Sequence, residues 1–98
     1  MSQLKEQVLE RLDVREPSMY RVIMINDHYT TMDFVIMVLM VVFHRSHDDA
    51  QRIMMDVHKN GQGLAGVYPY EVAETKVRQV EELAETHCFP LRCTMEEE

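Results

Sequence analysis

The segment 32–43 constrains the fold of this chain more than any other, because every residue in it except Asp33 is apolar. It is too short to span a bilayer, which takes about 20 apolar residues. Thr30 or Thr31 can cap a helix here, with Asp33 in its first turn. A helix that is apolar all round must be buried on both sides or must present a face to a ligand. The segment therefore predicts a central helix, ending near Phe43, that is buried or borders a binding pocket.

Further patterns predict three strands and two more helices. Residues 19–25 are rich in β-branched and aromatic types, which favours a buried strand. The other predicted elements are a helix capped by Ser46 and ended by Asn60-Gly61, a strand over 64–68, a helix with Pro69 in its first turn, a strand over 91–95 and a solvated tail over 96–98. The order β-α-α-β-α-β predicts an α+β domain with a small sheet covered by helices, and it leaves the strand pairing open.

Charge, cysteine content and the N-terminal sequence argue against a nucleic-acid or membrane partner, a disulfide framework and a signal peptide. The 98-residue chain carries a formal charge of −7, which argues against nucleic acid or an anionic membrane as a partner, since both require a basic face. Its two cysteines, Cys88 and Cys93, cannot form a disulfide framework. Residues 1–16 lack the apolar core of a signal peptide. We expect a cytoplasmic protein in a reducing compartment.

The chain divides near Pro17. Residues 1–16 are charged and show only a weak amphipathic pattern, which predicts a flexible N-terminal extension, with a weak helix as the alternative. Residues 17–98 contain all the predicted strands and the strongly patterned helices, and they form the predicted folded domain.

Catalytic and metal-binding patterns are weak. The chain has no Gly-rich phosphate loop and no nucleophile elbow. Cys88 follows His87, but adjacency in sequence does not make a catalytic pair. His44 and His47 are three residues apart without neighbouring partner ligands, whereas zinc sites require three or four protein ligands. We therefore predict no enzyme, no metal and no cofactor.

A polar segment, residues 26–31, separates the first strand from the central helix. Polar side chains beside so much apolar surface are typical of a small ligand pocket. Taken singly, Asn26 and Asp27 are common turn residues, and His58 near a helix end complements the helix dipole. Five of the nine methionines lie in the two central helices, where thioethers fill either a core or an adaptable pocket. These residues alone leave both interpretations open.

Several motifs together carry a resemblance to a known family. They are Pro17-Ser18-Met19-Tyr20-Arg21-Val22, Asn26-Asp27-His28-Tyr29-Thr30, Met32-Asp33-Phe34-Val35-Ile36, Val57-His58, Gly61, Gly66-Val67, Glu71-Val72-Ala73-Glu74-Thr75-Lys76-Val77 and Pro90-Leu91-Arg92-Cys93-Thr94. In this order, over roughly residues 17–95, the chain resembles the bacterial ClpS adaptor family.

The resemblance implies a function without catalysis. Proteins of that family are N-recognins: they bind proteins that begin with Leu, Phe, Tyr or Trp and deliver them to the ClpA unfoldase of the ClpAP protease. The implied fold is an α/β sandwich, a three-stranded antiparallel sheet packed on three helices, similar to the C-terminal domain of the ribosomal stalk protein. A different interaction domain, stalk-like and without an amine site, is the alternative. Convergence of Asn26 and His58 on one cavity would distinguish the two.

The resemblance also implies a two-part site. Asn26, Asp27 and His58, with His28 beside them, would bind the α-amino group, an ammonium whose three donors require acceptors at fixed positions. The first side chain would enter an apolar pocket. The pocket residues implied by the resemblance are Thr30, Met32, Val35, Met54, Val57 and Leu91. Met32 would be the gate that crowds Ile and Val while Leu and planar aromatic side chains pass.

Two positions depart from the family pattern, and a further set concerns the partner. His28 stands where the family usually has an acid, and Thr31 where it often has Pro. We therefore expect amine binding that is weaker or more pH-dependent, or a shifted substrate preference. A protonated His28 would repel an ammonium, so the affinity should fall as the pH drops toward 6. Glu71 and Lys76 match positions that touch the N-terminal domain of ClpA, with a solvated helix face as the alternative. Residues 1–16 match an extension that engages the unfoldase, and we expect a monomer.

Overall fold

A computed structural model of the chain describes residues 17–98. Its elements are β1 (Met19–Ile25), α1 (Met32–Val41), α2 (His47–Asn60), β2 (Gln62–Pro69), α3 (Tyr70–Thr86) and β3 (Arg92–Glu97). The predicted order and the α+β class are therefore confirmed. The extension predicted over residues 1–16 lies outside the described residues and stays a prediction.

The three strands form one antiparallel sheet in the order β2-β1-β3. In the central strand β1, Val22 and Met24 are fully buried in the core, whereas Arg21 and Ile25 are exposed. Ile23, between Val22 and Met24, is also buried, at 8% exposure, where the register with β2 shifts. One face of the sheet therefore contributes to the core.

The helices cover the buried face of the sheet. Helix α3 contacts all three strands, α2 contacts β2, and α1 packs against α2. Val38 and Leu39 of α1, Ile53 of α2 and Val80 of α3 are almost completely buried, and burying a side chain of this size stabilises the fold by about 1.5–3 kcal/mol. Helix α1 is nevertheless not covered all round, since Met32 is 44% exposed. The central helix thus presents part of its apolar surface outside the core.

Two predicted helix boundaries are wrong. Helix α1 ends at Val41 rather than near Phe43, because His44 adopts a left-handed conformation (φ 55°) and the Arg45 N–H donates to the Leu39 carbonyl at 3.1 Å. Pro69 is the N-cap of α3 rather than part of its first turn, because it remains extended and pairs with Met19 in the sheet.

The end of the chain also differs from the prediction. Glu96 and Glu97 are exposed to solvent as predicted, but the prediction of a tail over 96–98 is wrong for them because they belong to β3. Glu96 lies opposite Arg21 of β1 and forms an ion pair with it, and the Glu98 N–H donates to the Met19 carbonyl at 2.9 Å. The sequence of three glutamates carries no apolar signal, so only the pairing with β1 makes it a strand.

Candidate functional site

The ends of β1 and α2 meet through one residue, Gly61. Its left-handed conformation (φ 86°) ends α2, and its N–H donates to the Val57 carbonyl at 3.0 Å. Its own carbonyl accepts the Asn26 N–H, also at 3.0 Å. Asn26 is therefore held beside the last turn of α2, which carries His58.

Close approach of β2 to α2 reinforces this arrangement. A Cβ atom placed on Gly63 would lie 2.8 Å from Cγ2 of Val57 and 3.1 Å from the carbonyl oxygen of Ile53. Only glycine leaves room for this contact. The glycine thus lets the helix turn that carries Val57 and His58 lie directly on the sheet.

The carboxylate of Asp27 organises the polar segment. Its Oδ1 accepts the N–H groups of Tyr29 at 2.8 Å and Thr30 at 2.7 Å, and its Oδ2 accepts the Thr30 hydroxyl at 2.7 Å. The hydroxyl of Thr31 then caps α1 by accepting the Phe34 N–H at 3.2 Å. The segment is an Asx-type turn joined directly to a helix cap, which fixes its backbone.

These hydrogen bonds dominate the ionisation of Asp27. Burial raises the pKa of its carboxyl, but the bonds from the Thr30 hydroxyl, the Thr30 N–H and the Tyr29 N–H, together with nearby His28, lower it more. The pKa therefore lies below its ordinary value of 3.8. Asp27 carries a negative charge at neutral pH that the turn itself stabilises.

A substitution tests the part that Asp27 plays in stability. Asp27→Asn keeps one acceptor oxygen but loses the carboxylate, so we expect it to lower the free energy of unfolding by about 1 kcal/mol at pH 7. Because the folded pKa is depressed, the stabilisation is present above pH about 4 and is lost as the pH falls through the folded pKa. Urea denaturation of both proteins between pH 7 and pH 3 should show the difference shrinking toward zero.

The control for this substitution is Asp56→Asn, which removes a carboxylate of α2 that accepts no side-chain hydrogen bond in residues 17–98. Its effect should be small and should show no such loss below pH 4. A difference for Asp27→Asn that stayed constant down to pH 3 would contradict the proposed role of the carboxylate.

A cavity of about 400 Å³ lies between the polar segment and helices α1 and α2. Its apolar wall contains the buried side chains of Val35, Met54 and Val57. The remaining lining residues are Asn26, Asp27, His28, Tyr29, Thr30, Thr31, Met32 and His58. The cavity therefore has one apolar wall and one wall rich in hydrogen-bonding groups.

Three nitrogen-containing side chains of this cavity, and the Tyr29 hydroxyl, have no hydrogen-bond partner within residues 17–98. None of the side-chain hydrogen bonds there involves the Asn26 amide or the imidazoles of His28 and His58. An amide oxygen accepts hydrogen bonds, and so does the unprotonated nitrogen of a neutral imidazole. The cavity thus offers acceptors to a ligand that brings donors.

The structure brings together all but one of the side chains predicted for this site. Asn26, Asp27, His28, His58, Thr30, Met32, Val35, Met54 and Val57 all line the cavity. Leu91 does not: it is 2% exposed and lies just before β3, where it lines a separate surface cleft with Phe89 and Pro90. The cavity adds Tyr29 and Thr31, to which the sequence assigned no binding role. Their position between predicted site residues was the available signal.

The two predicted partner-contact residues on α3 differ in surroundings. Glu71 is exposed in the first turn of α3. The Lys76 ammonium instead donates to the Val42 carbonyl at 2.7 Å and lies 5.7 Å from the centre of the Tyr68 ring. Helix α1 has no basic residue in its last turn, so Lys76 satisfies a carbonyl at that end from another helix. Lys76 is therefore not part of a simple solvated face.

Other chemistry-bearing groups lie apart from the cavity. Cys88 is exposed and Cys93 is buried, and burial, followed by the charge of Glu81, raises the pKa of the Cys93 thiol to about 12. Within residues 17–98, no three His, Cys, Asp or Glu side chains come close enough together to hold a metal ion. In the same range, every helix is too short or too polar to cross a membrane.

Comparison with known proteins gives consistent matches. A family model described as ATP-dependent Clp protease adaptor protein ClpS matches residues 15–94. The ATP-dependent Clp protease adapter protein ClpS of Syntrophus aciditrophicus is 57% identical over 84 residues, which are 86% of this chain and 78% of that protein. Its counterpart in Wolinella succinogenes is 49% identical over 96 residues, 98% of this chain and 94% of that protein.

A solved structure is also similar. Agrobacterium tumefaciens ClpS2 bound to L-phenylalaninamide aligns with a TM-score of 0.81 and 38% sequence identity. The alignment covers 85% of this chain and 100% of that chain. The similarity therefore extends over almost the whole of the described fold.

Proposed function

Since this chain belongs to the ClpS family of ATP-dependent Clp protease adaptor proteins, we propose that it binds proteins through a free N-terminus and delivers them to a Clp protease. Its ligand would be an N-degron, that is, a first residue with a free α-amino group and a bulky side chain: Leu, Phe, Tyr or Trp. The proposal includes no chemical reaction, because the module would act by binding alone.

The observation that carries the proposal is the pairing of unpartnered acceptors with an apolar wall. The Asn26 oxygen and the His58 imidazole can accept from an ammonium, whose three donors need such partners. Asp27 adds negative charge, although three hydrogen bonds already occupy most of its lone pairs. An acetylated terminus has neither the positive charge nor the three donors.

The apolar wall suits the first side chain. Val35, Met54 and Val57 are 3–8% exposed and face a space of about 400 Å³. Burying a Leu or Phe side chain there contributes about 1.5–3 kcal/mol. The similar Agrobacterium protein was solved with L-phenylalaninamide, which combines a free amine with an aromatic side chain. The same combination fits the two walls described above.

Fluorescence anisotropy tests this function directly. Labelled peptides that begin with Phe, Leu, Ile or Met, and an N-acetylated Phe peptide, would be titrated with the full chain. We expect binding of the free Phe and Leu peptides, weaker binding of the Ile peptide, and loss of binding on acetylation. Equal affinity for the free and acetylated Phe peptides would contradict the proposal.

For the partner, we propose the N-terminal domain of a ClpA-type AAA+ unfoldase, with a monomeric adaptor working in the cytoplasm. Glu71 is exposed and free to contact this domain directly. Lys76 would act differently: by holding the end of α1 through the Val42 carbonyl, it shapes the surface beside α3. The extension over residues 1–16 remains part of the proposal as the segment that engages the unfoldase.

Substitution of Lys76 separates these two roles. Lys76→Met keeps an unbranched apolar stem but loses the donor, so we expect the free energy of unfolding to fall by about 1–2 kcal/mol. Unfoldase binding should weaken as well. Glu71→Gln should weaken unfoldase binding without changing stability. Urea denaturation and a pull-down with the unfoldase domain would measure the two effects.

Arg78→Met is the matched control, because Arg78 is an exposed cation of the same helix whose pair with Glu74 spans 3.5 Å. Exposed pairs of this kind are worth at most about 0.5 kcal/mol. If Lys76→Met were no more destabilising than Arg78→Met, the capping role of Lys76 would be refuted.

A further inference from the structure

His28 lies on the cavity wall at a fixed position. The hydrogen bonds from Tyr29 and Thr30 to the Asp27 carboxylate close the turn around it, so its backbone is held on both sides. Its side chain is exposed, lines the cavity and makes no hydrogen bond within the described residues. A held backbone with an unpartnered imidazole is a preorganised contact for a ligand.

A bound N-terminus would pass this imidazole. If the first side chain packs on Val35, Met54 and Val57, which are buried, the peptide cannot continue in that direction. It must leave across the exposed part of the lining, which consists of His28, Tyr29, Thr31, Met32 and His58. The α-amino group of the first residue meets His58 there, and the second residue is the first one whose side chain can lie against this exposed part.

The ionisable side chains along the exposed part of the lining favour an acidic side chain at the second position of the peptide. The titratable side chains that line the cavity are Asp27, His28, Tyr29 and His58. The turn already engages the Asp27 carboxylate, whereas both imidazoles are unpartnered among residues 17–98. An imidazole N–H donates to a carboxylate, and imidazolium adds an ion pair between pH 8 and 6. A basic second side chain could form neither this hydrogen bond nor this ion pair.

We propose that His28 determines specificity at the second position of the N-degron and favours Asp or Glu there. This inference rests on the proposed function and adds a second recognition element to it. His28 would therefore affect affinity in two opposite ways. A protonated imidazole repels the ammonium of every peptide, but it attracts the second side chain only where that side chain is acidic. The ratio of two affinities therefore isolates the second effect.

The test compares peptides that begin Phe-Glu, Phe-Ala and Phe-Lys and are otherwise identical. Dissociation constants at pH 8 and pH 6 would be measured with the full chain, with His28→Gln, and with His47→Gln. His47 is an exposed histidine at the start of α2 that does not line the cavity. The three peptides share the free amine and the first side chain, so the ratios of their affinities report on the second residue, and His28→Gln separates the contribution of His28 from that of His58, which also lines the cavity.

We expect the preference for Phe-Glu over Phe-Ala to increase about two- to fivefold from pH 8 to pH 6, as for an exposed ion pair. His47→Gln should behave in the same way, and His28→Gln should show a nearly constant ratio. A ratio independent of pH in the unsubstituted chain, or an equal change in His28→Gln, would overturn this inference alone. Absence of binding by every free peptide would overturn the proposed function as well.

Discussion

Replacing Asn26 with alanine should weaken the binding of a Phe-initiated peptide by about ten- to 100-fold. The substitution removes an amide oxygen that lines the cavity and has no partner among residues 17–98. Truncating one member of a hydrogen bond to a charged group costs about 1.5–3 kcal/mol, and each 1.4 kcal/mol is a factor of ten in affinity. Fluorescence anisotropy with the peptide at pH 7.5 would measure the loss.

The fold should survive this change. The Asn26 N–H, which donates to the Gly61 carbonyl, belongs to the backbone and remains in the alanine variant. Urea denaturation should therefore show nearly unchanged stability. The control is Asn60→Ala, an exposed asparagine at the end of α2 that does not line the cavity. It should bind the peptide as the unsubstituted chain does.

An acetylated peptide makes the test specific for the amine. If the Asn26 amide binds the ammonium, removing it should lower the affinity for the free peptide far more than the affinity for the acetylated one. The difference in binding free energy between the two peptides should therefore shrink. Unchanged affinity for the free peptide in a folded Asn26→Ala variant would refute the assignment of Asn26.

Local signals in the sequence were sufficient for much of this site. Helix α2 begins after the N-cap Ser46 and ends at the C-cap Gly61, as predicted. The N-cap of α1 is Thr31, one of the two residues, Thr30 and Thr31, that the sequence offered for this position. Each of these involves hydrogen bonds within about four residues, so the residue type at one position is informative. The polar segment was likewise placed correctly between β1 and α1.

Contacts between distant residues could not be predicted in this way. Lys76 and Val42 are separated by 34 positions, and Arg21 and Glu96 by 75. Either pair becomes visible only when the helices and strands are packed. The engagement of the Asp27 carboxylate by its own turn is local, and residue type alone favoured a turn at Asn26 and Asp27. Hydrogen-bond geometry was needed to show which donors each carboxylate oxygen accepts.

Replacing Met32 with alanine should change which first residues the pocket accepts. Met32 is the first residue of α1, lines the cavity and is 44% exposed, so its side chain stands at the edge of the pocket rather than in the core. A β-branched first residue is broad near its backbone and would meet this side chain. Removing it should raise the affinity for Ile and Val peptides about tenfold relative to Leu, within the 1–3 kcal/mol expected of an apolar pocket contact.

The ratio of affinities is the decisive quantity, because alanine also removes favourable contact with every ligand. Leu and Phe peptides should lose some affinity while the Ile peptide loses less or gains. Met40→Ala is the matched control: Met40 lies in the same helix, is 38% exposed and does not line the cavity. An unchanged ratio of Ile to Leu affinity in Met32→Ala would show that the selectivity arises from the buried wall of Val35, Met54 and Val57 instead. Because the thioether of Met32 is flexible and half exposed, this outcome separates steric exclusion at the edge from the fixed shape of the pocket.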